Sequence, residues 1–252
     1  PEYCRPPPSI ADSRATREEW AGFLAMAHRL DTKMGAIFEA LKRNGLWDNT
    51  FIVCTTDHGL AYPRMKCNLT DSGLGVFLML RPPAGLGAGK VSDALVSHLD
   101  LFPTLCDWLE IPKPAWLQGV SLLPLIRGEK ESVRDELFAE VTFHAAAEPQ
   151  RGIRTARWKY IRRFDRRTKP VLPNCDDSVS KTLWLDNGWT DRQHDNEMLF
   201  DLVFDPLEMN NLAGESKYAD IRKGLDQRLK RWMQDTGDPL LHGDVAPPPT
   251  AV

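Results

Sequence analysis

The chain has 252 residues, 42% of them hydrophobic and 27% charged, with a formal net charge of -3 at neutral pH. That length buries one sizeable core, or one core with a small satellite, and the mildly acidic balance excludes a general nucleic-acid binder, which carries a basic surplus. No apolar run approaches the ~20 residues that cross a bilayer, and no charged-then-apolar targeting segment is visible.

The first element is a helix. From Thr16 to Gly45 the apolar positions Trp20, Phe23, Leu24, Ala27, Leu30, Met34, Ile37, Phe38 and Leu41 recur at three- and four-residue steps, which predicts one long amphipathic helix ended by Gly45. After Trp47-Asp48-Asn49, the run Phe51 to Thr55 is β-branched and apolar on both faces, the pattern of a parallel strand buried between helix layers. A second buried strand is expected at Val76 to Leu80, closed by Arg81-Pro82-Pro83 and a glycine-rich turn, and a helix at Leu99 to Ile111 with Pro103 near its start. Beyond Glu129 the pattern changes. Strands at Glu136 to Phe143, Gly152 to Phe164 and Met198 to Phe204, separated by polar stretches, predict a small antiparallel sheet. The helix Tyr218 to Thr236 carries Ile221, Leu225, Leu229, Trp232 and Met233 on one stripe and stops at Gly237-Asp238-Pro239.

The expected architecture is therefore α/β over residues 1–130, a small α+β subdomain over 131–243, and a loose proline-rich tail over 244–252. The five cysteines are an odd number with no C-x-x-C spacing, so neither a zinc site nor a dense disulfide framework is expected; Cys54 and Cys106 read as small buried hydrophobes. Pro1, with Pro6-Pro7-Pro8 behind it, is read as belonging to a chain processed or cut from something longer.

Thr56-Asp57-His58-Gly59 directly follows the first strand. In open α/β sheets ligands bind beyond the carboxyl ends of strands, and a carboxylate beside an imidazole there is a candidate metal site. On these four residues alone a turn-shaping role stays open.

The order of motifs resembles the C-terminal half of the sulfatases in the alkaline-phosphatase superfamily. The resemblance rests on Arg29-Leu30-Asp31, Gly45-Leu46-Trp47-Asp48-Asn49-Thr50, Thr56-Asp57-His58-Gly59, Ser97-His98-Leu99-Asp100-Leu101-Phe102-Pro103-Thr104-Leu105, the strand from Gly152 to Ile161, and Leu199 to Leu212. Within that family, Tyr62 to Leu69, Asp107-Trp108-Leu109-Glu110-Ile111-Pro112 and Trp232 to Leu240 look most like the sulfamidase branch, which removes N-linked sulfate from glucosamine in heparan-type glycans. The fold implied is the C-terminal part of a mixed sheet sandwiched by helices, plus a small antiparallel sheet with a C-terminal helix.

The resemblance further implies that Asp57 and His58 ligate a divalent cation, usually Ca²⁺. Many relatives carry asparagine where His58 stands, and imidazole suits zinc better, so Zn²⁺ is the alternative. Lys66 corresponds to the cation that contacts the sulfate. His144, after the strand Leu137 to Phe143, is a candidate substrate contact or a plain strand-end histidine, and His98 is read as structural. The basic run Arg151 to Lys169 would attract an anionic glycan, but one solvated face of a small sheet is the favoured reading. Asn68-Leu69-Thr70 fits the N-glycosylation pattern, common by chance.

The family's nucleophile, a formylglycine made from Cys or Ser in Cys/Ser-x-Pro-x-Arg, has no counterpart here: Cys4-Arg5-Pro6 begins correctly, but Pro8 stands where arginine belongs. Paired N-terminal aspartates and an N-terminal lysine and histidine are likewise expected from a native N-terminal half. The expectation is a sulfatase part acting on a sulfated glycan or small sulfated sugar, inactive by itself and extracytoplasmic, whether periplasmic, secreted or lysosomal. The alternatives are a phosphatase or phosphodiesterase of the same superfamily and a non-catalytic domain that binds an anionic sugar.

Overall fold

The structure, a computed structural model, describes residues 1–246. The part of the predicted tail beyond 246 lies outside the described residues. The helix α1 (Arg14–Arg43) starts on a capping box in which Ser13 accepts from the Thr16 N–H and the Thr16 hydroxyl accepts from the Ser13 N–H. Lys42 and Arg43 in its last turn suit the negative end of the helix dipole. Much of its apolar stripe is uncovered: Leu24 is 42%, Leu30 52% and Ile37 60% exposed. At its N-terminal end Trp20 packs on a small core of Ile10, Tyr62 and Met65.

The strand β1 (Ile52–Thr55) is followed by the one-turn α2 (Asp71–Leu74) and the strand β2 (Leu78–Arg81). β1 and β2 pair antiparallel, Ile52 opposite Arg81 and Thr55 opposite Leu78, which corrects the expectation that β1 is a parallel strand. All four β1 residues are half-buried rather than fully covered. An apolar run on both faces reports that a strand is covered, not which way its neighbour runs.

The helix α3 (Leu101–Trp108) follows a 3₁₀ turn at His98–Asp100 and is shorter than the predicted span. Asp100 at this junction is fully buried and accepts from the Ser97 N–H at 2.7 Å and the Val120 N–H at 2.9 Å, with Arg134 donating to both of its oxygens. The short helix α4 (Leu123–Arg127) ends at Gly128, whose φ of 75° favours glycine.

The second sheet is formed by β3 (Glu136–Phe143), β4 (Ala147–Thr155), β5 (Trp158–Arg163) and, after the helix α5 (Val179–Asp186), β6 (Glu197–Asp201). They lie in that order, every pair antiparallel. The predicted strand over 152–164 is in fact a hairpin that turns at Ala156-Arg157, where the Thr155 hydroxyl accepts from the Trp158 N–H at 2.9 Å. α5 was not among the predicted elements. Ser178 caps it, and Glu19 of α1 accepts from the Val179 N–H at 2.8 Å and the Ser180 N–H at 3.2 Å.

The last helix, α6 (Ala219–Asp235), lays Leu225, Leu229 and Met233 against Ile153, Tyr160 and Leu199 of the four-stranded sheet. These positions recur every four residues, so one helix face covers one sheet face. Val245, in the predicted tail, packs on the rim of this core. The opposite face of the sheet holds Ile161 and Phe200 with Leu69, which comes from the loop after β1.

Candidate functional site

The loop between β1 and α2 is built to fold back on itself. The Gly59 N–H donates to the Gly73 carbonyl at 2.9 Å and the Lys66 N–H to the Leu60 carbonyl at 2.9 Å. A Cβ at Gly59 would sit 2.0 Å from the Ser72 carbonyl oxygen, and one at Gly73 2.2 Å from that of Asn68, so both positions require glycine. Arg64 and Cys67 take positive φ of 64° and 67°, conformations that cost L-residues energy and persist only when the surroundings fix them.

Asp57 and His58 stand at the start of this loop. The His58 Nδ1 lies 2.7 Å from the Gly59 carbonyl, an oxygen that only accepts, so in the neutral ring the proton is on Nδ1 and Nε2 carries a lone pair. That bare nitrogen faces Asp57 Oδ2 at 3.4 Å. Two lone-pair donors turned toward each other need a cation or a proton between them, and a ligating histidine typically gives its other N–H to a carbonyl in this manner. The pair therefore fits part of a cation site. Among the described residues no group of three or more His, Cys, Asp and Glu side chains is arranged to hold a metal ion.

The Lys66 side chain is only 13% exposed and pairs with Asp176, just ahead of α5. It is not a solvated loop lysine. Asp57, His58, Lys66 and His144 all line one cleft of about 700 Å³, shared by the β1–α2 loop and the β3–β4 end of the larger sheet. His144 is exposed at the β3–β4 connection, beyond an irregularity in pairing between Val141 and Phe143. His98, expected to be structural, lines the same cleft and holds Nε2 at 2.8 Å from the Thr55 hydroxyl at the end of β1. Asn68 of the glycosylation pattern also lines it, its amide donating to the Lys66 carbonyl at 3.2 Å, with Leu69 and Thr70 buried behind.

On the strands the basic run is not a solvated face, which corrects that expectation; Arg166, Arg167 and Lys169, beyond β5, are exposed. Arg151 pairs with Asp238 at 2.5 Å, Arg157 with Asp201 at 2.7 Å, Arg162 with Asp226 at 3.0 Å and Arg163 with Glu148 at 3.0 Å; the Arg151, Lys159 and Arg163 side chains are at most 2% exposed. Buried cations of this kind require partners; Asp238, Asp201 and Asp226 come from distant parts of the chain, Glu148 from the neighbouring strand β4. Arg154 and Lys159, which reach the cleft wall, both bind Asp71 at the first turn of α2. Burial works to raise the Asp71 carboxyl, but Arg154 and Lys159 together hold it below its ordinary value. None of Asp71, Arg154, Lys159, Asp176 and Glu208 was singled out as a site residue, because each acts through a contact remote in sequence.

All five cysteines are free thiols. Cys106 is buried as expected, whereas Cys54 is only half-buried. Burial pushes the Cys175 thiol up to about 11, and Cys67, beside Lys66 on the cleft wall, is also raised by burial. Neither is held as a ready thiolate.

Two family models match the chain. The sulfatase model covers residues 2–111, and the model for the C-terminal part of N-sulphoglucosamine sulphohydrolase covers residues 58–174. Human N-sulphoglucosamine sulphohydrolase is 27% identical over 255 residues, spanning 91% of this chain and 50% of its own length. An ulvan-active sulfatase of Formosa agariphila is 30% identical over 210 residues, spanning 81% of this chain and 41% of its own length. Among solved structures, that of BT4656 in complex with its substrate D-glucosamine-2-N, 6-O-disulfate superposes with a TM-score of 0.68 at 25% identity, over 89% of this chain and 42% of that one. The chain thus spans about half the length, or less, of the proteins it matches. The two models overlap across the loop that carries His58 and Lys66, and with the fold and the motif order in agreement, the chain belongs to the sulfatase family.

Proposed function

We propose that this chain forms one wall of the active site of a sulfatase that hydrolyses a sulfate ester or sulfamate on a glycan, with heparan-type N-sulfated glucosamine as the favoured substrate. The observation that carries this reading is the convergence of Asp57, His58, Lys66 and His144 on one cleft. The match to the sulphohydrolase C-terminal model over the same loop supports the sulfamidase type.

Each residue has a role its surroundings suit. The Lys66 ammonium, largely withdrawn from water, supplies fixed positive charge for the sulfuryl oxygens, and a preorganised charge in such a place is worth far more than one in bulk solvent. Asp176 pairs with that ammonium and fixes its position. His144, exposed across the cleft, donates to or accepts from the sugar. The Asp57 carboxylate and the His58 Nε2 lone pair would hold a divalent cation, whose chemistry is to polarise the sulfate. Ca²⁺ typically takes about 6 to 8 oxygen ligands, so further donors must come from other parts of the protein, and the imidazole makes Zn²⁺ the competing occupant. The nucleophile, a formylglycine by family, would likewise come from outside this chain, and an extracytoplasmic location accords with such substrates.

The test uses the whole protein of which this chain is part. Sulfate release from N-sulfated glucosamine, with bound metal quantified in the same preparation, supports the proposal. Turnover of phosphate monoesters with stoichiometric zinc and no sulfate release would overturn it.

A further inference from the structure

We infer that Asp71, Lys159 and Glu208 form a positioning clamp that fixes the loop carrying Asp57, His58 and Lys66 against the four-stranded sheet, and so sets the width of the cleft. The role assigned to that loop rests on the proposed sulfatase function; the clamp itself rests on geometry.

Lys159 stands in β5 with its side chain 1% exposed, and its ammonium meets Asp71 on α2 and, at 3.1 Å, Glu208 Oε1. Glu208 is equally buried, and its other oxygen accepts from the Asp71 N–H at 2.5 Å. Glu208 Oε1 lies within ion-pair distance of Lys159 but is not aligned for a hydrogen bond. The Glu208 backbone takes a positive φ of 54°, and its carbonyl accepts from Arg64 of the site loop at 3.1 Å. Burial raises the Glu208 carboxyl above its ordinary value, Lys159 acting against it. A charged cluster this dry is a poor source of net stability compared with apolar packing, and a demanding source of geometry, since each charge is tolerated only where its partner stands.

The restraint has a short path to the site. Asp71 begins α2, and two residues later Gly73 accepts from Gly59, the neighbour of His58. The steric closure at Gly59 and Gly73 makes this path stiff. Leu69, 2% exposed, plugs the same loop into the sheet over Gly152, where a Cβ would lie 3.4 Å from its methyl. Displacing the clamp therefore displaces Lys66 and the Asp57–His58 pair together, relative to His144 on the sheet side. Asp71, Lys159 and Glu208 are positioning residues, acting through the loop rather than on substrate.

The test uses Glu208→Gln, nearly isosteric and still able to accept from the Asp71 amide, and the double variant Lys159→Met/Glu208→Gln, which removes both buried charges at once, a change such sites often tolerate. Both are made in the full-length protein. Two readouts are taken on folded material: kcat and KM for sulfate release, and the rate at which Cys67, on the cleft wall beside Lys66, is modified by a thiol reagent, followed by mass spectrometry. The clamp predicts kcat lower by about 10-fold or more with KM changed much less, as expected when catalytic groups are misplaced rather than removed, and Cys67 modification faster by a comparable factor. Both quantities within twofold of the parent in folded variants would overturn it. Loss of the folded state in both variants would also overturn it, assigning the cluster to the core. Should the parent release no sulfate, the proposed function fails while the Cys67 rates still decide the clamp.

Discussion

Asp100→Asn is a severe test of how the turn before α3 is tied to the segment leading into β3. The carboxylate is fully buried and answers four donors: the Ser97 and Val120 N–H groups and two nitrogens of Arg134. Asparagine keeps the shape but brings an NH₂ where an acceptor is required, and it leaves the Arg134 guanidinium, 15% exposed, without its counter-charge. Breaking a buried pair from one side costs about 3–5 kcal/mol, and the residual exposure of Arg134 places this case near the lower end, about 3 kcal/mol. At about 2–4 °C per kcal/mol for about 150–250 residues, and less for a longer chain, the thermal midpoint of the full-length protein should fall by about 3–6 °C. The assay is a thermal melt of parent and variant in the full-length protein, with Arg134→Met and the double variant completing a cycle. The double variant should lose less than the sum of the singles, because it removes the orphaned charge. A shift under about 2 °C for Asp100→Asn, or additive losses, would refute the reasoning.

Two further outcomes are expected. Lys66→Ala should lower kcat/KM for sulfate release by a factor on the order of 10² to 10³, the usual loss for a preorganised charge-stabilising group, while the thermal midpoint moves little; steady-state kinetics on folded variant checks it. Burial, reinforced by Arg163, holds the His194 imidazole down to about 4 from its ordinary 6.5. Its folded pKa lies below its unfolded one, so its contribution is complete above pH 6.5 and is lost as pH falls toward 4, where the unfolded chain binds the extra proton. Urea unfolding of parent and His194→Gln across that window should show a shallower fall in stability for the variant.

The elements most legible in the sequence are those whose pattern is their own. α1 and α6 follow from four-residue apolar spacing, and β3 from its bounded apolar run. The direction of β1 was not legible, because coverage on both faces is indifferent to the sense of pairing. The β4–β5 hairpin turns at Ala156-Arg157, which lacks the Gly, Asn or Pro that announces a turn, so the sequence reads as one strand. The start of α5 has a local cap in Ser178, but two of its first N–H groups are also held by Glu19, about 160 residues away in the chain. The same contrast holds at the site. Asp57 and His58 stand out as candidates because strand ends in such sheets are where ligands bind, and Lys66 only through the family resemblance. The clamp was invisible: Asp71 meets Lys159 across 88 residues and Glu208 across 137, and each of these looks alone like a surface charge. The basic run misled for a related reason, since a dense row of charges suggests a solvated face, whereas Arg151 is buried against Asp238, 87 residues away, and Arg163 against Glu148 of the neighbouring strand.

The most direct test of the central claim is sulfate release from N-sulfated glucosamine by the full-length protein, set against the same protein carrying Lys66→Ala. Release by the parent with a large loss in the variant is the predicted result; no release by the parent, or equal release by both, would contradict the assignment of this cleft as a sulfate site.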